Sequence, residues 1–476
     1  MKNRALYIPL ITSIVSAFAL VILASPKTEI ETKPKEGAIR VLFLGHDSEH
    51  HNSNKYYPML AKGLGRDAIY FDYVTSVEEA LGDATFLGKF DALLLYANHG
   101  TITPNQWKNL KDYVDGGGGF VPVHCASWCF GNEPAFDQLV GGRFDSHKVG
   151  TFTSKVVDPQ HPAMEGVKEF EAWDETYKHK NHNEKDRQVL MVREVAGKDD
   201  NITEPEPWTW VRTQGKGRVF YTASGHDERV WKQPAFHQLL KAGILWSVGK
   251  ERKQSYEEFI TERAPLKYEK RGDIANYENR PEPLPYQFPL KAEDSMKYTQ
   301  APVGFRLELF ASEPDIINPI GLAWDERGRL WAAETVDYPN EMTPDRVGND
   351  KIKILEDTDG DGKCDKVTVF ADGLNIPTSL TFSRGGIIVA HVPDFLFLKD
   401  TDGDDKADVR EVLNTGWGTG DTHAGPSNLR YGFDNWIWGA VGYSSYSGVV
   451  GGEQKRFGSG VFRMKPDGSA LEFMHQ

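Results

Sequence analysis

Four histidines of this 476-residue chain each follow a short apolar run of the sequence. His46 follows VLFLG, His99 follows LLLYAN, His124 follows FVPV and His226 follows RVFYTASG. Imidazole is the side chain best suited to proton transfer near neutral pH, and it is a common metal ligand. The repeated placement therefore favours one shared chemical site. The alternative is that each ring only hydrogen-bonds the loop that follows its strand.

Further polar residues could complete such a site. The additional histidines His50, His51 and His147 could join it or lie on surface loops, and Asp174-Glu175 could orient a histidine or bind a metal. We expect a catalytic set and a substrate-binding set, with the first also able to hold a divalent metal ion. The catalytic set is His124, His226, Asp174 and Glu175, and the substrate-binding set is His46, His99, His147 and Asp227.

These histidines must be positioned by an alternation of strands and helices. Apolar runs predict strands over residues 40–45, 90–98, 119–124 and 218–223, and helical patterns lie between or after them over residues 56–63, 103–114 and 234–248. This order predicts an α/β domain with a mostly parallel sheet over residues 38–250. Ligands of such sheets bind beyond the carboxyl ends of the strands, where the histidines fall.

Cysteine chemistry is a weaker hypothesis. Cys125 directly follows His124, but the surrounding PVHCAS lacks the Gly-x-Cys-x-Gly pattern of a nucleophile elbow, so Cys125 is interpreted as a small packing residue. Cys129 could share a helix face with it, but no further thiol is nearby to complete a metal site. Three cysteines in all are too few for a disulfide scaffold.

The first domain resembles the trehalose-utilisation (ThuA-like) family, which is related in fold to class I glutamine amidotransferases. The matching stretches are GHDSEHHN, TPNQWKNLKDYVDGGGGFVPVHCAS, LVGGRFDSH, HPAMEG, WDETY and GKGRVFYTASGHD. The resemblance implies a site in the strand-end pocket at His46, His124 and His226. It also implies a role in sugar metabolism, including that of glycosides oxidised at the 3-position of the ring.

The second half of the chain has a different organisation. Residues 251–300 are rich in charge, Pro and Tyr and are interpreted as an extended connector. Residues 301–476 contain a repeat, ILEDTDGDGKCDKVTVFADG and FLKDTDGDDKADVREVLNTG, at an offset of about 43. Strand–turn–strand patterns recur around it. This combination predicts an all-β partial β-propeller of three to four blades.

The two Asp-rich repeats are spaced like calcium-binding loops, since alternate carboxylates suit an ion that takes six to eight oxygen ligands. Position 12 of the first loop is Thr368 and position 6 of the second is Asp405, so neither fits completely. The alternative is a polar hairpin tip. The candidate calcium ligands are Asp357, Asp359, Asp361 and Asp365 in the first loop and Asp400, Asp402, Asp404, Asp408 and Glu411 in the second.

The second domain resembles the propellers of soluble sugar dehydrogenases that use pyrroloquinoline quinone (PQQ), and of exported, haem-associated membrane-bound dehydrogenase proteins. The stretches GFRLELFASEPDIINPIGLAWDERGRLWAAETVDYP and DTHAGPSNLRYGFDNWIWG carry the resemblance. It implies that His423 is the general base, that PQQ binds only in a complete propeller, and that a c-type cytochrome accepts electrons. There is no CxxCH motif, and we expect a C-terminally truncated propeller.

The N-terminus and the charge indicate where the protein acts. Lys2 and Arg4 precede an apolar run, so residues 1–25 are predicted to be a cleaved signal peptide or an uncleaved anchor, with the protein periplasmic or on the cell surface. A net charge of −14 argues against a nucleic-acid partner. We expect an exported enzyme acting on a carbohydrate or glycoside, as an oxidoreductase or a keto-glycoside-processing enzyme. The alternative is a non-catalytic carbohydrate-binding or surface-scaffold protein.

Overall fold

The computed structural model describes residues 37–475, except residues 199, 275, 277, 278, 282, 283, 340 and 341. The predicted signal peptide or anchor lies outside the described residues. In the described part of the chain, no helix is long and apolar enough to cross a membrane. The chain divides into two compact units. The first runs to Pro265 and includes Tyr298–Phe305, and the second comprises Leu266–Lys297 and Arg306–Gln476.

The first unit contains eight helices, twelve strands and two 3₁₀ turns among its described residues. The helices are α1 (Ser53–Gly65), α2 (Val77–Leu81), α3 (Ala84–Leu87), α4 (Pro104–Asp115), α5 (Pro134–Val140), α6 (Glu228–Trp231), α7 (Pro234–Ser247) and α8 (Lys250–Glu262). The strands are β1 (Ile39–Leu44), β2 (Ile69–Val74), β3 (Ala92–Leu95), β4 (Gly119–Pro122), β5 (Arg143–Ser146), β6 (Val149–Thr153), β7 (Lys155–Val156), β8 (Glu171–Glu175), β9 (Lys178–Lys180), β10 (Arg187–Arg193), β11 (Glu206–Gln214) and β12 (Gly217–Thr222). The 3₁₀ turns are His124–Trp128 and Pro162–Met164.

The main sheet of this unit has eight strands in the order β2-β1-β3-β4-β12-β11-β10-β7. The pairs from β2 to β12 are parallel and the remaining pairs are antiparallel. Strands β3 and β4, and β1 apart from Arg40, are apolar because parallel strands are covered on both faces. The structure thus has the predicted α/β class with a mostly parallel sheet.

Helix α4 shows how local sequence sets the ends of these elements. Thr103 caps its N-terminus by accepting from the amide of Gln106, whose side chain accepts in return from the Thr103 amide. Pro104 occupies the first helical position, where its missing N–H costs nothing. The sequence signals therefore place this helix correctly between β3 and β4.

Two small antiparallel sheets, β5-β9 and β6-β8, stand beside the main sheet. In the second, Val149 pairs with Glu175 and Gly150 with Asp174. This pairing fixes the end of β8, which carries the two predicted acidic residues.

The predicted connector over residues 251–300 differs from the structure. Its first part forms helix α8, and Tyr256 of that helix is buried in the core of the first unit. Residues Tyr298–Phe305 also belong to the first unit. Helix α8 has few apolar residues, so its sequence shows little of the periodicity that predicts a helix. Burial of Tyr256 and partial burial of Phe259 and Ile260 against the core nevertheless stabilise it.

The second unit is all-β apart from one short helix, as predicted. Its elements include three four-stranded antiparallel sheets, β15–β18, β19–β22 and β23-β24-β27-β28. The strands are β13 (Tyr268–Glu269), β14 (Tyr286–Gln287), β15 (Pro319–Trp324), β16 (Leu330–Glu334), β17 (Asp350–Glu356), β18 (Lys366–Leu374), β19 (Ser379–Ser383), β20 (Gly386–His391), β21 (Asp394–Lys399), β22 (Val409–Thr415), β23 (Pro426–Tyr431), β24 (Ile437–Val441), β25 (Tyr446–Val450), β26 (Glu453–Phe457), β27 (Gly460–Met464) and β28 (Leu471–His475). Helix α9 (Ala292–Met296) and a 3₁₀ turn (Thr422–Ala424) complete the set.

Candidate metal centre

Four side chains of the first unit converge on one point. His51, His124, Glu175 and His226 each offer one ligand atom, and these atoms all lie within 4.8 Å of one another. Glu175 is at the centre, with its carboxylate oxygens 3.2 Å from His124 Nε2, 3.2 Å from His226 Nδ1 and 3.6 Å from His51 Nε2. The His51 Nε2 and His226 Nδ1 atoms are 3.3 Å apart.

These spacings match those of a metal site. Ligands about 2.05 Å from a tetrahedral ion are separated from one another by about 3.3 Å. The four measured separations, 3.2 to 3.6 Å, lie close to that value. An ion could therefore be held by these residues with small side-chain movements.

Each ligand is placed by the end of a main-sheet strand or by β8. His51 lies between β1 and α1, and His124 is the first residue of the 3₁₀ turn after β4. Glu175 ends β8, and His226 lies between β12 and α6. His51 and His124 have positive φ angles of 52° and 50°, which L-residues rarely adopt. These turns direct both rings into the crevice beyond the strand ends, where ligands of α/β sheets bind.

Hydrogen bonds fix which nitrogen of each ring faces the cluster. His124 Nδ1 lies 2.6 Å from the carbonyl oxygen of Ala223, to which it must donate its proton. His51 Nδ1 lies 3.1 Å from Oδ1 of Asn98. The Nε2 lone pairs of both rings are consequently left facing the Glu175 carboxylate. Such backbone and amide partners typically orient metal-binding histidines.

Electrostatics support the same assignment. Burial lowers the pKa of His124 to about 3, so its ring is neutral at pH 7. Burial opposes ionisation of Glu175, but the imidazoles around it outweigh burial and hold its pKa well below the usual range. Burial also opposes the charged form of His226, yet the Glu175 carboxylate raises the pKa of this ring above its ordinary value. The Glu175 carboxylate is therefore ionised and contacts three imidazole nitrogens, a donor set that can hold a divalent cation.

Asp174 acts on the backbone of the site. Burial raises its pKa to about 7, against the effect of three backbone amides that point at it. Its carboxylate accepts from the amides of Gly225 and His226, at 3.0 and 3.1 Å, and from that of Glu175 at 2.8 Å. It thereby joins the end of β8 to the turn that carries His226.

Not every predicted site residue reaches the cluster. His46 Nε2 donates to the carbonyl of His51 at 2.9 Å, and His99 Nε2 donates to that of Gly45 at 2.9 Å, so both rings support the loop after β1. His147 lies at the edge of the cluster, with Nδ1 3.6 Å from Glu175 Oε1 and its side chain 38% exposed.

Asp227 and Cys125 also lie outside the four-residue cluster. The Asp227 carboxylate caps α6 and pairs with Arg229. Cys125 is fully buried, and burial raises the pKa of its thiol well above the ordinary value. A buried thiol of this kind has no nucleophilic role. Cys129 donates from Sγ to the carbonyl of Ala97, which is a structural contact.

In the second unit, His423 is an exposed residue beside a small cavity. Its Nδ1 lies 3.0 Å from Asp421 Oδ1, and its ring packs edge-on to Tyr338. A cavity of about 240 Å³, lined among others by His423, Tyr338 and Arg430, opens next to it.

The Asp-rich loops bring together only part of their predicted ligands. Oxygen atoms of three carboxylates per loop lie within 4.8 Å of one another: Asp357, Asp359 and Asp361 in the first loop, and Asp400, Asp402 and Asp404 in the second. The other three predicted ligands lie outside these two groups. The Asp365 and Asp408 carboxylates accept from Thr358 and Thr401, and Glu411 pairs with Phe397 within the β21–β22 ladder.

Comparison with known families agrees with the division into two units. Residues 40–247 match the family model described as trehalose utilisation (ThuA), which confirms the predicted ThuA-like domain. Residues 291–476 match a model described as a domain of unknown function, DUF7133. The resemblance to quinone-dependent dehydrogenase propellers gains no support from these matches. No curated protein matches the chain.

Solved structures similar to the chain cover its first unit. One described as a ThuA-like protein, from Bacteroides uniformis, is 20% identical, covers 45% of this chain and 92% of its own, and has a TM-score of 0.38. Another so described, from Parabacteroides merdae, is 19% identical with coverage of 44% and 90% and a TM-score of 0.39. A β-galactosidase from Bacillus circulans is 14% identical, covers 44% of this chain and 31% of its own, and has a TM-score of 0.32.

Proposed function

We propose that the first unit is a metal-dependent domain that acts on a sugar or an oxidised glycoside. The observation that carries the proposal is the convergence of His51, His124, Glu175 and His226 on one point. The match to the trehalose-utilisation family supports a carbohydrate-related role at the family level. The substrate class of oxidised glycosides rests on the resemblance of the sequence motifs alone.

The donor set decides which ions fit. Three imidazole nitrogens and one carboxylate oxygen suit a first-row divalent ion such as Zn²⁺, Fe²⁺, Mn²⁺ or Ni²⁺ rather than Ca²⁺ or Mg²⁺. When bound, such an ion polarises a carbonyl or lowers the pKa of a bound water. The side of the site where His147 is exposed is open to a substrate. The Trp173 ring lies 5.7 Å from that of His226, with the Arg229 guanidinium 3.4 Å from the Trp173 ring centroid.

The test begins with the full chain freed of metal and titrated with Zn²⁺, Mn²⁺ and Ni²⁺. We expect one ion per chain by elemental analysis, and loss of that ion in Glu175→Gln. His423→Ala is the matched control, because His423 lies in the second unit. The loaded protein is then assayed with simple glycosides and their 3-keto forms. No bound ion, or an ion retained by Glu175→Gln, overturns the metal site. An ion without turnover of any of these substrates supports the binding-protein alternative.

Sugar oxidation by the second unit is a second candidate function, favoured by the pairing of His423 with Asp421 beside a cavity. We propose that the three four-stranded sheets are blades of a partial propeller. However, the cavity of about 240 Å³ is below the ~300–1,000 Å³ typical of pockets for drug-sized ligands. The cavity beside His423 is therefore small for a quinone cofactor. A dye-linked sugar oxidation assay that is unaffected by His423→Ala would remove this candidate.

We also propose that the protein is exported, on the basis of the charged and then apolar residues at its N-terminus. Fractionation of cells that express the full chain tests this proposal. Recovery from the periplasm or the cell surface is the expected result, and recovery with the cytoplasmic fraction contradicts it. N-terminal sequencing of the recovered protein distinguishes a cleaved signal from an anchor.

A further inference from the structure

A chain of hydrogen bonds lies behind the metal-site cluster and ends on the backbone of His124. Glu206 Oε1 is 2.8 Å from His179 Nδ1, and His179 Nε2 is 3.0 Å from the hydroxyl of Tyr221. The Tyr221 hydroxyl lies 3.0 Å from Ser127 Oγ and 3.2 Å from the carbonyl oxygen of His124. Ser127 Oγ donates to the same carbonyl at 3.1 Å.

The members of this chain are deeply buried. Glu206, His179, Tyr221 and Ser127 are each less than a tenth exposed. Trp210 packs against both Tyr221 and His179, with ring centroids 4.2 and 5.1 Å away. Buried polar groups destabilise a fold unless they are paired, and apolar residues of similar volume could often replace them. Their presence behind the site therefore calls for a role beyond packing.

The residue at the end of the chain is one that needs to be held. His124 adopts a positive φ of 50°, a conformation that residues with a Cβ rarely take. Its ring is anchored on one side by the Ala223 carbonyl, through Nδ1. Its own carbonyl accepts a hydrogen bond from Ser127 Oγ at 3.1 Å, and the Tyr221 hydroxyl oxygen lies 3.2 Å away. With both ends fixed, Nε2 points at Glu175.

We propose that Glu206, His179, Tyr221 and Ser127 form a positioning relay that holds His124 in the orientation required of a metal ligand. The relay rests on the proposed metal site. None of its members belongs to the four-residue cluster, so all four are positioning residues. His179 Nδ1 donates to Glu206, so its Nε2 accepts the single proton of the Tyr221 hydroxyl. The Tyr221 oxygen lies beside Ser127 Oγ, and Ser127 makes the hydrogen bond to the His124 carbonyl.

The test compares Tyr221→Phe with Tyr256→Phe in the full chain. Each variant loses one buried hydroxyl. Tyr256 lies on helix α8, away from the site, and its hydroxyl donates to the Asp67 carbonyl. We expect Zn²⁺ affinity, measured by competition with a chromophoric chelator, to fall 10- to 100-fold in Tyr221→Phe and to stay unchanged in Tyr256→Phe. The Zn²⁺ affinity of Ser127→Ala, which removes the hydroxyl that contacts the His124 carbonyl, is expected to lie between those of the two variants. Ser127→Ala replaces Tyr221→Phe in the comparison if Tyr221→Phe does not fold.

A second readout separates the relay from the metal site. In the metal-free chain, the ring ¹⁵N resonances of His124 report its orientation, and we expect them to shift in Tyr221→Phe and not in Tyr256→Phe. Unchanged resonances together with unchanged Zn²⁺ affinity overturn the relay. A wild-type chain that binds no Zn²⁺, Mn²⁺ or Ni²⁺ overturns the proposed metal site, and the relay is then decided by the His124 resonances alone.

Discussion

Removal of His226 should weaken metal binding by a predictable amount. The His226 Nδ1 atom lies 3.2 Å from Glu175 and 3.3 Å from His51, so it supplies one of four ligands. His226 is a better target than His124, because His124 is completely buried and its removal would leave a cavity. The side chain of His226 is partly exposed, so His226→Ala should fold.

The expected loss can be derived from the number of ligands. Four-ligand zinc sites in peptides are worth about 10–16 kcal/mol, or about 3 kcal/mol for each ligand. Since each 1.4 kcal/mol corresponds to a factor of ten, His226→Ala should weaken Zn²⁺ binding by roughly a hundred- to a thousand-fold. His147→Ala should weaken it less than about tenfold, because His147 lies outside the four-residue cluster at its exposed edge.

Competition titrations of the metal-free chain with a zinc chelator measure these affinities. His237→Ala is the matched control, since His237 Nε2 donates to the Trp231 carbonyl and lies outside the cluster. Its affinity should equal that of the wild type. The reasoning is refuted if His226→Ala binds Zn²⁺ within a factor of ten of the wild type, or if the control loses as much as His226→Ala.

Three more predictions concern stability. Gly225→Ala should cost about 1–3 kcal/mol in chemical denaturation, because φ is 136° and an added Cβ would lie 3.2 Å from His124 Cβ. Gly197→Ala, with φ of 135° and open space, should cost less, and an equal cost would show that the contact with His124 is unimportant. The metal-free wild type should lose stability relative to His124→Gln as pH falls from about 6.5 towards 3, by up to about 1.4 kcal/mol per pH unit. The reason is that burial lowers the pKa of His124 in the folded chain to about 3, so the unfolded chain binds the proton first. Urea unfolding at several pH values measures this difference, and parallel stability curves for the two proteins would contradict it. If the Asp-rich loops bind Ca²⁺, an ion concentration a hundred times its Kd should add about 2.7 kcal/mol to the stability of the second unit for each occupied loop. Calorimetry should show no such gain when Asp357 and Asp400 are both changed to Asn, and a gain that survives these changes would place the ion elsewhere.

Three of the four clustered residues, His124, Glu175 and His226, belong to the predicted catalytic set, whereas the orientation of the other histidines could not be predicted. The placement of histidines after apolar runs identified the crevice, because strand ends in a parallel sheet share one edge. The rings of His46 and His99 nevertheless turn to loop carbonyls. His51 enters the cluster through a turn with positive φ. Which nitrogen faces the site depends on loop conformation and side-chain rotamers, and neither has a simple signal in residue order.

The positioning relay was missed for a related reason. Its members come from β9, β11, β12 and the 3₁₀ turn after β4, so no local spacing connects them. His179 gives no strand-end signal, because it lies inside the short strand β9 rather than after an apolar run. A buried chain of this kind becomes visible only when strands that are distant in the sequence are packed together.

The pairing of β6 with β8 has a consequence for how the site tolerates change. Successive residues of a strand point to opposite faces, and here Asp174 binds backbone amides while Glu175 faces the imidazoles. A slip of one residue in this two-stranded sheet would place Asp174 where Glu175 now lies, or Glu175 where Asp174 now lies. In the first case the shorter side chain would face the imidazoles, and in the second the longer one would be forced against the Gly225 turn. Insertion or deletion of a single residue within β8 should therefore abolish the proposed metal centre even where the eight-stranded sheet folds normally.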